Sequence, residues 1–258
     1  MQAPAKLTVS LRVTGVRPDG YHELDAEMVT LDLADELEIE EGGSGLTVAL
    51  APGVRAEGLP GPGENLVERA LDACRRQAGI RLTKRIPLGG GLGGGSADAA
   101  AVLRWAGCTD LDVAVGLGAD VPFCLVGGRA RVRGVGEQVT GLPFEPRHYL
   151  LLLPPFGVET ARVYRAWDDE PRDDAPNALT VAALTVEPRL ARWRDALGEL
   201  TGAEPALAGS GSTWFVELGE PPALPPSGEL RVEAETARLV HARSVPAGWE
   251  GEGKEEGD

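Results

Sequence analysis

A glycine-rich segment holds the residues whose types and spacing most clearly indicate chemistry. Residues 87–95 contain six glycines and lead into Ser96, Ala97 and Asp98, followed by an Ala-rich helical pattern over 99–105. Glycine lets several backbone N–H groups approach one ligand, because no Cβ stands in the way. The N-terminus of the following helix adds unpaired N–H groups and the positive end of its dipole. The segment is therefore predicted to cradle a polyphosphate.

Two widespread phosphate-binding loops fit this segment poorly. Gly89, Gly91 and Gly94 match the pattern GxGxxG, but so many glycines fit many patterns, and the segment does not follow the first strand of a βαβ unit. A Walker A loop needs a lysine after its last glycine, where Ser96 stands here. The hypothesis of a nucleotide-dependent oxidoreductase is supported only by this degenerate match to GxGxxG. A flexible linker is disfavoured, because linkers rarely run straight into an Ala-rich helix.

The lysines are rare enough to be informative. The chain has 22 arginines but only three lysines, Lys6, Lys84 and Lys254. A lysine in a chain that otherwise uses arginine hints that a compact ammonium is required. Lys6 lies on the polar face of an alternating segment, 3–13, which predicts a half-buried strand. Lys84 and Arg85 precede the glycines and are candidates for a local positive field.

The elements that position these residues are predicted from periodicity and turn signals. A turn at 17–20 should lead into a second strand. Helices are predicted over 64–77, 99–105 and 111–117, and over most of 179–200. Strands are predicted over 46–50, 81–86 and 149–153, with hairpins over 127–139 and 206–218. Residues 231–240 form a last helix or strand, and the acidic stretch 168–176 is a loop.

Composition excludes several classes of partner. The 258 residues carry a formal net charge of -15 with a sequence pI of about 4.7. Such a surface repels nucleic acid and anionic lipid. Cys74, Cys108 and Cys124 are widely spaced and the histidines are scattered, so neither a disulfide framework nor a metal site is indicated. Without a secretory signal or an apolar run of roughly 20 residues, a soluble cytoplasmic protein is expected.

Four segments, in order along the chain, resemble motifs of the GHMP kinase superfamily. Residues 87–100 (PLGGGLGGGSADAA) resemble its ATP loop, and 209–212 (GSGS) its third motif. Residues 4–7 (PAKL) and 19–24 (DGYHEL) resemble the N-terminal signature of the 4-diphosphocytidyl-methylerythritol kinases within that superfamily. Residues 118–123 (GADVPF) resemble their catalytic segment. The ordered set implies an ATP-dependent small-molecule kinase.

The resemblance also implies an architecture: α+β, with two domains and the active site in the cleft between them. Residues 1–145 would form the N-terminal GHMP kinase domain and 146–248 the C-terminal one. The boundary falls near 141–147, where Pro143 and Pro146 interrupt the pattern. The charged, Gly-rich tail 249–258 is expected to be disordered. A monomer or a homodimer is compatible with this architecture.

The resemblance implies roles for individual residues. Asp120 would accept the proton of the substrate alcohol, while the ammonium of Lys6 keeps it ionised and stabilises developing charge. Tyr21 and His22 would hold the cytosine of a cytidine diphosphate-linked methylerythritol, phosphorylated on its 2-hydroxyl during isoprenoid precursor biosynthesis. ATP with Mg²⁺ would occupy a site whose residues are Pro87, Leu88, Gly89, Gly90, Gly91, Leu92, Gly93, Gly94, Gly95, Ser96, Ala97 and Asn65.

Some of these residues have a simpler alternative role. Ser96 can cap the helix as readily as it can reach a phosphate or Mg²⁺. Asp98 is expected first to stabilise the helix dipole, and Asn65 can be an ordinary helix cap. Without the surrounding motif, Asp120 would be interpreted as an ordinary turn aspartate.

The sequence also departs from the family pattern. Thr8 stands where the family has Asn, Ala97 replaces a second loop Ser, and Ala178 replaces Asp. The stretch 101–118 is shorter than in the family by about two helical turns.

Two other functions within the superfamily are possible. Residues 19–22 argue against another GHMP kinase, of homoserine or mevalonate type. The presence of both Lys6 and Asp120 argues against a non-catalytic, nucleotide-binding paralogue.

Overall fold

The computed structural model describes residues 1–61, 63–169, 175–221 and 227–251, which form two sheets with helices packed against them. The strands are β1 (Gln2–Val16), β2 (His22–Glu41), β3 (Leu46–Leu50), β4 (Ala78–Lys84), β5 (Arg129–Gly134), β6 (Gln138–Gly141), β7 (His148–Leu153), β8 (Ala206–Leu207), β9 (Trp214–Leu218), β10 (Glu229–Val232) and β11 (Glu235–Arg243). The helices are α1 (Leu66–Ala73), α2 (Gly94–Trp105), α3 (Leu111–Leu117), α4 (Val121–Val126), α5 (Thr160–Asp169), α6 (Thr180–Val186) and α7 (Leu190–Thr201).

The first sheet uses strands up to residue 141 and has the order β3-β4-β2-β5-β6, with β1 paired to β2. The long β2 is its centre, because β1, β4 and β5 all pair with it in antiparallel fashion. The helix α2 packs on β1, so the start of this helix lies beside the first strand.

The prediction of a half-buried β1 is wrong for its first half. Every residue from Ala3 to Thr8 is buried, including Lys6. Register shifts after Pro4 and after Thr8 interrupt the simple alternation. The glycine-rich segment also covers the polar face, where the N–H of Lys6 donates to the carbonyl of Leu92 at 3.0 Å.

The second sheet is wholly antiparallel, in the order β10-β11-β7-β9-β8. Its central strand β7 is apolar and buried, as an interior strand should be. The two sheets are joined where Val245 N donates to Thr30 O at 2.9 Å and where Leu11 bridges to Asn177. Segments from both halves of the chain border a common cleft, since its lining includes Lys6 of β1, Tyr164 of α5 and Gly209 between β8 and β9.

Several element boundaries differ from those predicted. The first helix is shorter than 64–77, because Arg75 takes a positive φ of 51° and ends it before β4 begins. The second starts at Gly94 rather than 99, so the first two residues of its first turn, Gly94 and Gly95, come from the glycine-rich segment. Residues 179–200 divide into α6 and α7, with Pro188 between them.

Other expectations are confirmed or resolved. The helix over 111–117 and the two hairpins are present, with small shifts at their ends. The last segment consists of strands, the hairpin β10–β11. The helices α4 and α5 were not predicted, and α5 takes the start of the supposed acidic loop. Most of that loop (170–174) and of the tail (252–258) lies outside the described residues.

Candidate active site

Lys6 and Asp120 lie side by side in the cleft. The Nζ of Lys6 is 3.3 Å from Oδ2 of Asp120, and the lysine side chain is only 6% exposed while the aspartate is 32% exposed. Both line a cavity of about 370 Å³ together with the glycine-rich segment. The structure thus brings together the two residues that the resemblance implied as catalytic.

Asp120 is not an ordinary capping or turn aspartate. It occupies the N-cap position of α4, yet its side chain makes no capping hydrogen bond. Pro122 lies in the first turn of that helix, where its missing N–H costs no helical hydrogen bond. The carboxylate is therefore directed to the cleft and to Lys6 rather than used to satisfy its own helix.

The ammonium of Lys6 is held from several directions. Its Nζ donates to Oγ1 of the buried Thr8 at 3.1 Å, so the residue that replaces the family Asn orients it. A Cβ added at Gly93 would lie 2.7 Å from Cγ of Lys6, and one added at Gly209 would lie 3.4 Å from its Nζ. Glycines at 93 and 209 thus let two loops close around the lysine.

The first turn of α2 offers N–H groups to the cleft. Its N-cap is Gly93, in the left-handed conformation and without a side-chain cap. The intrahelical ladder begins where Ala97 N donates to Gly93 O at 2.8 Å, so the N–H groups of Gly94, Gly95 and Ser96 precede it. N–H groups at the start of a helix can bind an anion. The phosphate cradle stays a prediction, which this helix start is suited to fulfil.

Not every predicted ATP residue lines the cleft. The cavity is bordered by Pro87, Leu88, Gly89, Gly90, Gly91, Leu92, Gly93, Gly94, Gly95 and Ser96. Ala97 is fully buried and its N–H is used in the helix, so it offers a ligand neither side chain nor donor. Asn65 caps α1 by accepting from Val67 N at 3.0 Å, which is its simpler alternative role. Ser96 lies inside the first turn and Gly93 is the N-cap, so of the two alternatives for Ser96 the structure contradicts capping of α2.

The charged residues flanking the loop also differ from expectation. Lys84 is buried between Asp35 and Asp98 and is not a free source of positive field. Arg85 pairs with Glu36 at 2.8 Å near the surface. Asp98 lies beyond the first turn of α2 and is paired with Lys84, so it does not serve the helix dipole as predicted.

The loop is pinned to the second sheet by close backbone approach. A Cβ added at Gly91 would lie 2.2 Å from Ala208 O, and one added at Gly89 would lie 3.2 Å from Cα of Gly157. Thr213 N also donates to Gly90 O at 3.2 Å. Glycine is required at 91 because both the contact and its φ of +76° exclude a side chain. The loop therefore has a fixed place between the sheets.

An aromatic cluster borders the cleft on the side of β2. The His22 ring lies 4.9 Å from the Tyr164 ring and edge-on to Trp167 at 5.5 Å. Nε2 of His22 is 2.8 Å from Oδ1 of Asp168. Burial raises the pKa of the Tyr164 hydroxyl, and the Asp120 carboxylate raises it further. Tyr21, in contrast, is 64% exposed and lies on the far side of Ala119.

Sequence reasoning did not find Tyr164 or the role of Asn177. Tyr164 belongs to the unpredicted α5, whose pattern gave no site signal. Asn177 is buried, donates from Nδ2 to the carbonyls of Leu207 and Gly209 at 2.8 and 2.7 Å, and accepts from Leu179 N. It thereby fixes the turn that holds Gly209 beside Lys6. The available signal was its position directly before Ala178, where the family pattern has Asp.

The described residues contain no grouping of three or more His, Cys, Asp or Glu side chains placed to hold a metal ion. Among the helices of the described ranges, none has the length and apolar character needed to cross a membrane.

Comparison with known proteins gives consistent similarities. The family described as GHMP kinases N terminal domain matches residues 65–128. The 4-diphosphocytidyl-2-C-methyl-D-erythritol kinase of Pelotomaculum thermopropionicum is 38% identical, over 93% of this chain and 92% of its own length. The enzyme of that name from Paracoccus denitrificans is also 38% identical, over 96% of this chain and 93% of its own.

A solved structure is similar in fold as well as in sequence. A crystal structure of 4-(cytidine 5'-diphospho)-2C-methyl-D-erythritol kinase is 35% identical, with a TM-score of 0.65. The alignment covers 83% of this chain and 88% of that one. The similarity confirms the α+β class expected from the sequence.

Proposed function

The chain belongs to the 4-diphosphocytidyl-2-C-methyl-D-erythritol kinase family of the GHMP kinases, and we propose that it phosphorylates the 2-hydroxyl of that family's namesake substrate with ATP. The products are ADP and the 2-phosphate, which serves isoprenoid precursor biosynthesis. The observation that carries the proposal is the 3.3 Å approach of Lys6 to Asp120 inside a glycine-lined cleft.

Asp120 takes the proton of the attacking hydroxyl. Its carboxylate makes no capping bond and borders the cleft, so an alcohol that enters can donate to it. As the oxygen attacks phosphorus, negative charge develops on the transferred group. The ammonium of Lys6 lies within reach of that charge and is held in place by Thr8.

The glycine-rich loop positions the phosphates. The N–H groups of Gly94, Gly95 and Ser96 and the positive end of α2 neutralise part of their charge. ATP supplies the phosphoryl group that is transferred. These donors matter more here than in a basic protein, because the net charge of -15 otherwise repels a polyanion.

Mg²⁺ fits this site as an ion held mainly by phosphates. Mg²⁺ commonly binds through one or two protein oxygens and substrate phosphates rather than through a protein cage. The Ser96 hydroxyl and the Asp120 carboxylate are oxygens that border the cleft. We assign Ser96 to the phosphates or their Mg²⁺, because it does not cap α2.

The aromatic cluster accommodates the cytosine. Tyr164 lines the cleft, and His22, whose ring lies against that of Tyr164, offers polar ring atoms. Tyr21 lies outside the cleft, so its contact with the base stays a prediction from the resemblance. The base would then lie at the end of the cleft near β2, and the methylerythritol would extend towards Asp120.

We also propose that the chain divides into domains near residues 141–147. The first sheet ends at Gly141 and the second begins at His148. The cleft contains Lys6 and Asp120 from one side and Tyr164, Gly209 and Ser210 from the other. The division would therefore place the reaction between the two domains.

The test is turnover by the purified protein with ATP, Mg²⁺ and 4-diphosphocytidyl-2-C-methyl-D-erythritol, followed by ADP release and phosphorus NMR of the product. Homoserine and mevalonate serve as competing acceptors in parallel reactions. We expect ADP and a 2-phosphate with the cytidylyl substrate only. ATP binding without turnover on any of these alcohols would overturn the proposal.

A further inference from the structure

Three charged side chains are buried together behind the glycine-rich loop. Asp35, Lys84 and Asp98 are each no more than 2% exposed. Nζ of Lys84 contacts Oδ2 of Asp35 and lies 2.6 Å from Oδ2 of Asp98. Burying three charges is costly unless they neutralise one another, so the cluster calls for a role. Nothing in the phosphoryl transfer described above uses it.

The three residues join the two ends of the loop. Lys84 is the last residue of β4 and precedes the loop, whereas Asp98 lies in α2 after it. The ion pair between them closes the whole glycine-rich segment into a ring. Asp35 anchors the ring to β2, because its Oδ1 accepts the backbone N–H of Arg85 and, at 2.8 Å, that of Ile86.

The ammonium also touches the wall of the loop. A Cβ added at Gly94 would lie 3.1 Å from Nζ of Lys84. Gly94 is the first residue of α2 and one of the three N–H donors at the predicted phosphate site. Lys84 therefore supports this donor from behind while Lys6 faces the cleft in front.

We propose that the Lys84–Asp98 ion pair, anchored by Asp35, is a positioning device that preorganises the glycine-rich loop for ATP. Six glycines give this loop more backbone freedom than an average sequence of its length has. A link between its two ends reduces the freedom that must be lost when phosphate binds. The inference rests on the proposed function, because it takes the loop to be the ATP site.

The two partners of the Lys84–Asp98 pair differ in how strongly their charged forms are favoured. Burial disfavours a charged Lys84, but Asp98 and Asp35 outweigh it and raise the pKa of its ammonium. Burial raises the pKa of Asp98 to about 7, since Lys84 offsets it only in part and Asp35 adds negative charge. Oδ1 of Asp98 has no hydrogen-bond partner among the residues that the structure describes. Asp98 is thus the member that can be altered while Lys84 keeps a counter-charge.

The test compares Asp98→Ala and Asp98→Asn with a matched control. Alanine removes the link to α2 but leaves Lys84 neutralised by Asp35, whereas asparagine keeps an acceptor oxygen. The control is Arg85→Gln, which removes an ion pair between the same two strands without reaching α2. Lys84→Met is avoided, because two unpaired buried carboxylates would threaten folding.

Asp98→Ala is expected to raise KM for ATP about tenfold while KM for the alcohol stays within about twofold. Asp98→Asn should recover most of the loss, and Arg85→Gln should match the parent. In hydrogen exchange without nucleotide, amides 89–96 of Asp98→Ala should exchange faster, with the sheets unchanged. A merely structural residue would instead raise exchange throughout and affect both substrates alike.

Unchanged exchange of amides 89–96 in Asp98→Ala would overturn the inference, as would equal changes in both KM values. The exchange is measured without nucleotide, so it decides the inference even where the parent protein fails to phosphorylate the cytidylyl substrate. That failure would overturn the proposed function alone.

Discussion

Nζ of Lys6 lies 3.3 Å from Oδ2 of Asp120. Lys6 is in β1, whereas Asp120 directly precedes the short helix α4, more than 100 residues later in the chain. The contact depends on the loop between them, since Lys6 N binds Leu92 O and Gly93 leaves room for the lysine side chain. The proposed proton acceptor and the proposed phosphate-binding groups are thereby assembled at one place in the cleft.

Asp120→Asn is expected to lower kcat by about 1,000-fold, because the amide cannot take the proton of the alcohol. ATP affinity, measured by calorimetry, should be unchanged. Asp110→Asn is the matched control: Asp110 caps α3 through its side chain, a role that asparagine performs equally well. Near-normal turnover of Asp120→Asn would show that another group accepts the proton.

Thr8→Val should lower kcat about tenfold, because it removes the acceptor that orients a charged donor, Lys6 Nζ. Thr8→Ser keeps the hydroxyl and should remain close to the parent. The two variants are compared in steady-state turnover with ATP saturating. A valine variant as active as the serine variant would mean that Asp120 and the loop suffice to place Lys6.

Gly91→Ala should destabilise the protein by about 2 kcal/mol or more, because the new Cβ meets Ala208 O at 2.2 Å and φ is +76°. Gly116→Ala in α3 meets nothing within 4 Å and should stabilise by up to about 1 kcal/mol. Denaturant unfolding of both variants and of the parent measures these changes in the free energy of unfolding. Equal stability would show that the loop and the second sheet are not in contact in solution.

Tyr164→Ala should raise KM for the cytidylyl substrate about tenfold or more, in keeping with the loss of one base-stacking contact. Tyr164→Phe keeps the ring and should behave like the parent, and KM for ATP should not change in either variant. An effect on ATP equal to that on the cytidylyl substrate would remove Tyr164 from the base site.

Asp98 should make stability depend on pH. Its pKa is about 7 in the folded chain and near the model value of 3.8 when unfolded, so the folded state binds more protons between these values. The stabilisation from protonated Asp98 is complete below the unfolded pKa and is lost as pH rises through about 7. Asp98→Asn should abolish this loss, so its advantage over the parent grows from pH 5 to pH 8. Parallel unfolding curves at both pH values would contradict the shift.

Much of the fold was readable from local patterns. The turn at 17–20, the helix over 111–117 and the hairpins follow from residue types whose preferences act over a few neighbours. Errors concentrate where tertiary contacts override the pattern. The first half of β1 is buried on both faces because the glycine-rich loop covers it, and α2 begins within glycines of low helix propensity.

By itself the sequence determined that a glycine-rich loop opens onto a helix, because backbone freedom and helix periodicity are local properties. Its ordered motifs further indicated a kinase family and singled out Lys6 and Asp120. Only the tertiary structure decided that Asn65 caps a helix, that Ala97 is sequestered, and that Lys84 pairs with Asp98 instead of facing a ligand. Burial and partnership arise when distant segments pack together, and that packing also placed Tyr164 at the cleft and Asn177 against the carbonyl of Gly209.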